Sequence, residues 1–209
     1  MKKSLLLFGI FASLILWSCD KNEDKPASVI SADVKVGDVN GGGTVFYIAP
    51  DRTFGLVAAP EDVNETGIAW SALRVTIPTE KAIGTGAANT QKIIELKTKG
   101  GTEVDVAPAD EIYAAKVVAE LTTGGYSDWY LPSIDELTEL YRQRAVVGGF
   151  NETKTYWSSS AIDGGYIGPS GYTYFYDFNP AAQDVKPVQT DLNQHYPKLV
   201  RAIRTLKAE

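Results

Sequence analysis

The chain has 209 residues, 44% hydrophobic and 22% charged, enough to bury a sizeable core but too few for two large domains. Its 26 acidic residues outnumber 20 basic ones for a net charge of −6, so no chain-wide basic surface exists to neutralise a nucleic-acid backbone. One Cys and one His exclude an internal disulfide, a Cys/His zinc cluster and a CxxC redox pair, leaving carboxylates, hydroxyls, amides, cations and aromatic rings for any chemistry.

At the N-terminus, Lys2 and Lys3 precede an apolar run from Leu5 to Trp17. This is the charged and hydrophobic pattern of a secretory signal, short of the ~20 apolar residues a spanning helix needs. The run ends in Leu16-Trp-Ser-Cys19, which resembles a bacterial lipobox, and the only Cys sits where a thiolate is needed for thioether attachment of lipid. The expectation is a signal peptide over residues 1–18 and acylation of Cys19, anchoring the chain to a membrane that it does not span. Removing residues 1–18 takes away two lysines and no acid, leaving 18 basic against 26 acidic residues, a charge of −8. Residues 19–34 begin with a polar stretch that reads as a tether, and residues 35–207 as one domain.

Within that domain, Gly41-Gly-Gly43 predicts a turn, and the β-rich runs 44–48 and 54–58 predict an antiparallel hairpin. The Gly84-Thr-Gly86 segment leads into a helix around residues 91–97, stopped by Gly100 and Gly101. A second helix is expected over residues 109–121, with Ile112, Ala115, Val118 and Leu121 on one stripe. A third begins after Pro132, where Ser133 and Glu136 make a capping box and Ile134, Leu137, Leu140 and Tyr141 form an apolar face. Strand patterns return at 155–159, 172–178, 185–188 and 199–204. Early strands, then helices, then strands argue for an α+β fold with about three helices and a mainly antiparallel sheet.

Four stretches in order carry a resemblance: Gly43-Thr-Val-Phe-Tyr47, Ile83-Gly-Thr-Gly-Ala-Ala-Asn-Thr90, Gly125-Tyr-Ser-Asp-Trp-Tyr-Leu-Pro-Ser133, and Tyr156-Trp-Ser-Ser159 closed by Val200-Arg-Ala-Ile-Arg204. Over residues 36–206 the chain resembles the DUF1566 family, the type found as the C-terminal domain of the Legionella collagen-like adhesin and in Bacteroidetes lipoproteins. The resemblance implies a C-type-lectin-like or sulfatase-modifying-factor-like fold. The chain lacks the Glu-Pro-Asn calcium motif of animal C-type lectins and the reactive Cys pair of formylglycine-generating enzymes, so neither activity is implied.

Candidate sites follow from chemistry and pattern. Gly84-Thr-Gly86 ahead of a helix could cradle an anion, or be a plain turn. Ser158, Ser159 and Ser160 with His195 invite a hydrolase triad, but no G-x-S-x-G accompanies them. Asp135, Glu136 and Glu139 offer acid/base carboxylates that a helix N-terminus uses equally well. Asp163, Asp177, Asn179, Asp184, Asp191 and Asn193 could hold calcium or solvated turns; no cofactor is expected. Trp129 and Trp157 read as core. Tyr172, Tyr174 and Tyr176 share one strand face, either an aromatic platform or core, and with Tyr166, Asp163 and Asp184 they form the candidate ligand surface. Either Arg201 or Arg204 should point inward and require a carboxylate, with Asp128 or Asp177 preferred.

The functional expectation is a lipid-anchored cell-envelope protein of the outer membrane, surface-exposed and adhesin-like, that binds an extracellular glycan or protein without catalysis and binds no nucleic acid. The alternatives are a polysaccharide-active hydrolase and a structural subunit of a surface fibre or complex.

Overall fold

The computed structural model describes residues 28–71, 77–99, 110–162, 172–181, 188–190 and 196–208. The signal, the lipidation site and most of the tether lie outside these residues, as do Asp163, Tyr166, Asp184 and His195. The fold is α+β. Strands β1 (Val39–Asn40), β2 (Gly43–Ile48), β3 (Phe54–Ala58) and β7 (Ile203–Lys207) form an antiparallel sheet in the order β1-β2-β3-β7. Strands β4 (Thr155–Ile162), β5 (Tyr172–Asp177) and β6 (Val188–Thr190) form a second antiparallel sheet. The early hairpin is therefore as expected, with Thr44 opposite Ala58 and Ile48 opposite Gly55.

The helices are α1 (Gly86–Lys99), α2 (Ala114–Ala119), α3 (Ile134–Arg142) and the short α4 (Arg144–Val147). Helix α3 begins where its sequence signature places it: the Ser133 Oγ accepts from the Glu136 N–H, and the Glu136 Oε2 accepts from the Ser133 N–H at 2.7 Å. Its apolar face, Ile134, Leu137, Leu140 and Tyr141, is buried. Helix α2 is shorter than expected, and Ile112, placed on its buried stripe, is 69% exposed. The cause is a buried cation: Lys97 points inward from α1, and the non-helical Glu111 supplies the carboxylate at 2.7 Å. The stripe survives only at Ala115 and Val118, with Leu121 packed at its margin.

The closing segment also differs. Residues 199–202 do not belong to β7; they run between the two sheets. Leu199 bridges Tyr156 in parallel, the Ala202 carbonyl accepts from the Ala59 N–H, and Ile203, the first residue of β7, exchanges bonds with Tyr130. Alternation along an uninterrupted strand would have left one arginine outside. Instead both are buried, Arg201 in the seam and Arg204 in β7, each with a carboxylate: Asp62 and Asp128 respectively.

Two apolar clusters fill the interior. One gathers Trp70, Trp129, Trp157, Ile77 and Ile93; the other gathers Phe46, Leu137, Leu140, Tyr156 and Phe178. Both tryptophans of the sequence motifs are core, as expected.

Candidate functional site

Helix α1 starts at the glycine-rich turn, and its N-terminus does meet an anion, but one supplied by the chain. The Glu136 Oε1 accepts from the Gly84 N–H at 2.9 Å, and the Gly86 N–H bonds the same carboxylate. Gly86 must lack a side chain, because a Cβ there would collide with Glu136 Oε2 and the Leu131 carbonyl. One buried carboxylate thus terminates two helices, α1 and α3, satisfying N–H groups that have no intrahelical partner. Burial pushes its pKa above the usual carboxylate range, against the backbone donors that pull it down. Glu136 is therefore a structural cap, and the external-anion reading of Gly84-Thr-Gly86 fails. Nor does it pair with its helix neighbours for acid/base work: Asp135 is exposed, and Glu139 bonds Arg142.

Ser158, Ser159 and Ser160 are fully buried where β4 slips register between Trp157 and Ala161. Their hydroxyls are committed to the bulge: Ser158 Oγ donates to the Tyr174 carbonyl, Ser160 Oγ to the Glu80 carbonyl, and Ser159 Oγ accepts from Asn89. These groups staple β4 to its neighbour β5, to α1 and to the 77–80 segment. Nothing here presents a nucleophile to solvent.

The tyrosine row needs correction. Tyr174 and Tyr176 are 8% and 2% exposed and face the second apolar cluster, where Tyr141 packs on Tyr176 at 4.7 Å between ring centroids. Their shared face is the core face, so neither is part of a ligand platform. The β5 strand is recognised; periodicity alone does not tell which face meets α3. Tyr172 lies in β5, but its side chain lies outside the described residues, as do Tyr166, Asp163 and Asp184. Of the proposed calcium ligands, Asp177 and Asn179 bond the N–H groups two residues onward, as Asx turns do. Among the described residues no cluster of three or more His, Cys, Asp or Glu is arranged to hold a metal ion.

A cleft of about 830 Å³ opens elsewhere, between the 60–65 loop and the 148–152 loop. Glu61, Asp62, Asn64 and Glu65 line one wall; Gly149, Phe150, Asn151 and Glu152 line the other. Beneath it lies Arg201, 0% exposed, which donates from Nε to Asp62 Oδ1 at 2.7 Å. Its Nη1 reaches the carbonyls of Ala59 and Gly148, each at 3.2 Å, and Nη2 reaches that of Gly149 at 2.6 Å. Arginine's planar fork of five donors lets one side chain tie both walls. Gly148 and Gly149 both have positive φ, 73° and 70°, a conformation that presents these carbonyls to the guanidinium without a Cβ penalty.

Asp62 is held twice. Tyr156 donates its hydroxyl to Asp62 Oδ2 at 2.8 Å and accepts from the Asn151 N–H at 2.8 Å, so the Tyr156 ring connects the walls as Arg201 does. Burial raises the Asp62 pKa, with Arg201 and Tyr156 acting in the opposite direction; burial and the adjacent Asp62 charge raise that of Tyr156. With both carboxylate oxygens engaged, Asp62 organises the cleft. The exposed chemistry of the cleft is acidic and amide-rich, with Glu61, Glu65 and Glu152 around it and, among the described residues, no lysine or arginine in its lining.

The sequence reading missed this site. Its signals, acids in the 60–65 loop and the Gly148-Gly149 pair, are weak in isolation; only Arg201 was singled out, and its partner lies 139 residues away. Compared with known proteins, the chain matches no protein-family model and no curated protein sequence.

Proposed function

We propose that this is a lipid-anchored cell-envelope binding protein whose single lectin-like, DUF1566-type domain holds an extracellular glycan or protein in the 60–65/148–152 cleft, without catalysis. The observation that carries this reading is where the cleft lies relative to the tether. The N-terminal segment docks at the β2–β3 turn: the Ile30 N–H bonds the Arg52 carbonyl, and the Arg52 guanidinium returns to the carbonyls of Ile30, Ser31 and Val34. From there β3 runs Phe54 to Ala58, about 14 Å at strand rise, and leads into the cleft wall, which begins at Glu61. A tether from Cys19 joins the domain at the first end, and the cleft lies at the other. The acidic rim and a floor pre-organised by Arg201 suit recognition by hydrogen bonds, with Asp62 already spent on its partners.

The anchor is tested at Cys19. Cys19→Ser is expected to abolish incorporation of a fatty-acid probe and to release the protein from membranes; a variant still retained on membranes rejects lipidation as the attachment. The cleft is tested by exposing the full chain in detergent to glycan and extracellular-protein arrays, beside a Glu61→Lys/Glu65→Lys variant. Both side chains are exposed, so stability should change by no more than about 0.5 kcal/mol per substitution. Retention of the ligand should fall at least about tenfold, the loss of ~1.4 kcal/mol of binding. Unchanged retention would place the ligand elsewhere, and turnover of a polysaccharide on the array would replace the binding reading with a hydrolase.

A further inference from the structure

Because Tyr174 and Tyr176 turn inward, Thr173, Phe175 and Asp177 share the opposite face of β5. Lys198 crosses that face. Its backbone is fixed by reciprocal bonds with Ile68, and its Nζ lies 4.2 Å from the Phe175 ring centroid and 4.7 Å from that of Trp157. The two rings stand perpendicular, 6.1 Å apart, so the ammonium sits in an aromatic corner. Other inward cations of the chain carry carboxylates: Lys97 has Glu111, Arg201 has Asp62 and Arg204 has Asp128. Among the described residues, Lys198 has neither a hydrogen-bond acceptor nor an ion-pair partner; Asp177 acts on it only through space.

A half-buried ammonium without an acceptor is costly, and aromatic faces compensate only in part, by about 0.5–2 kcal/mol. Burial accordingly pulls the Lys198 amine below the usual lysine range. On the same strand face Thr173 Oγ1 is buried with no hydrogen-bond partner. Native folds leave few such groups unmatched, and this one lies two residues along the strand from Phe175. Phe175, half-buried beside them, offers apolar ring surface next to the charge.

We propose that Lys198 and Phe175 form a subsite for the carboxylate of an acidic sugar, the ammonium pairing with the carboxylate and the phenyl ring packing on the sugar's C–H face. The subsite uses residues apart from the acidic cleft and stands or falls independently of it. Neutral hexoses lack the group that Lys198 requires, and a bare anion lacks the carbon skeleton that Phe175 contacts.

The test is NMR of the full chain in detergent with 13C-labelled lysine Cε, titrated with sodium glucuronate, with glucose and with inorganic sulfate. Glucuronate should shift the Lys198 resonance saturably and move its titration midpoint upward, since a bound carboxylate favours the ammonium. Glucose should leave it unchanged, and sulfate should bind at least tenfold more weakly than glucuronate. Lys198→Met should abolish saturable glucuronate binding, Phe175→Ala should weaken it about tenfold, and Glu61→Lys/Glu65→Lys should leave it intact. No saturable shift in the unmutated protein overturns the proposal, whatever the variants do to folding. Sulfate binding as tightly as glucuronate overturns it as well, reducing the site to a nonspecific anion contact.

Discussion

Arg201→Met should cost the domain about 3–5 kcal/mol, the usual loss on breaking a buried ion pair from one side. The substitution removes the cation while leaving Asp62, whose side chain is 14% exposed, beneath the cleft. It also strips the Ala59, Gly148 and Gly149 carbonyls of a shared donor, which no aliphatic side chain of similar length replaces. For a domain of ordinary stability that is a large part of the total. Arg201→Lys should recover only a fraction, because a single ammonium cannot meet the carboxylate and carbonyls on two loops together. Urea denaturation followed by tryptophan fluorescence reads both. A loss below about 1 kcal/mol in the Met variant would mean that the two walls hold without the guanidinium, within the range of a net neutral hydrogen bond.

The second large effect is expected at Glu136. Glu136→Ala leaves the Ser133 and Gly86 N–H groups without their acceptor at positions closed to water. At about 1–3 kcal/mol for each orphaned donor, the loss is about 2–6 kcal/mol. It should exceed what an ordinary capping residue contributes, about 1 kcal/mol, because the carboxylate terminates α1 as well as α3. Hydrogen exchange distinguishes this from a simple cap. Protection should fall in the first turns of both helices; loss confined to α3 would show that α1 does not depend on Glu136.

These two residues also mark how far the sequence could be read. Ser133 and Glu136 announce the start of α3 because a capping box is a local device, its donors and acceptors three residues apart. That the same carboxylate ends α1 is not local: Gly84 is 52 residues away, and nothing in its neighbourhood names its acceptor. The arginine case is similar. Two arginines in an apolar closing segment announce a need for carboxylates, and Asp128 is indeed the partner of Arg204 at 2.6 Å. Arg201 instead takes Asp62, from a loop whose approach depends on how residues 199–202 leave the strand to join the two sheets.

Short-range patterns in the sequence by themselves determined the α+β class, the β2–β3 hairpin, the α3 cap, the strand at Tyr172–Asp177 and the burial of Trp129 and Trp157. Each depends on residues within a few positions of one another or on the high apolar surface of an indole ring. Tertiary packing decided the rest. It turned Tyr174 and Tyr176 toward α3 and left Phe175 beside Lys198, shortened α2 to bring Glu111 to Lys97, and gathered the 60–65 and 148–152 loops over Arg201. Alternation makes the two faces of a strand equivalent until another element covers one, and a buried charge is satisfied by whichever distant partner the fold brings within about 3 Å.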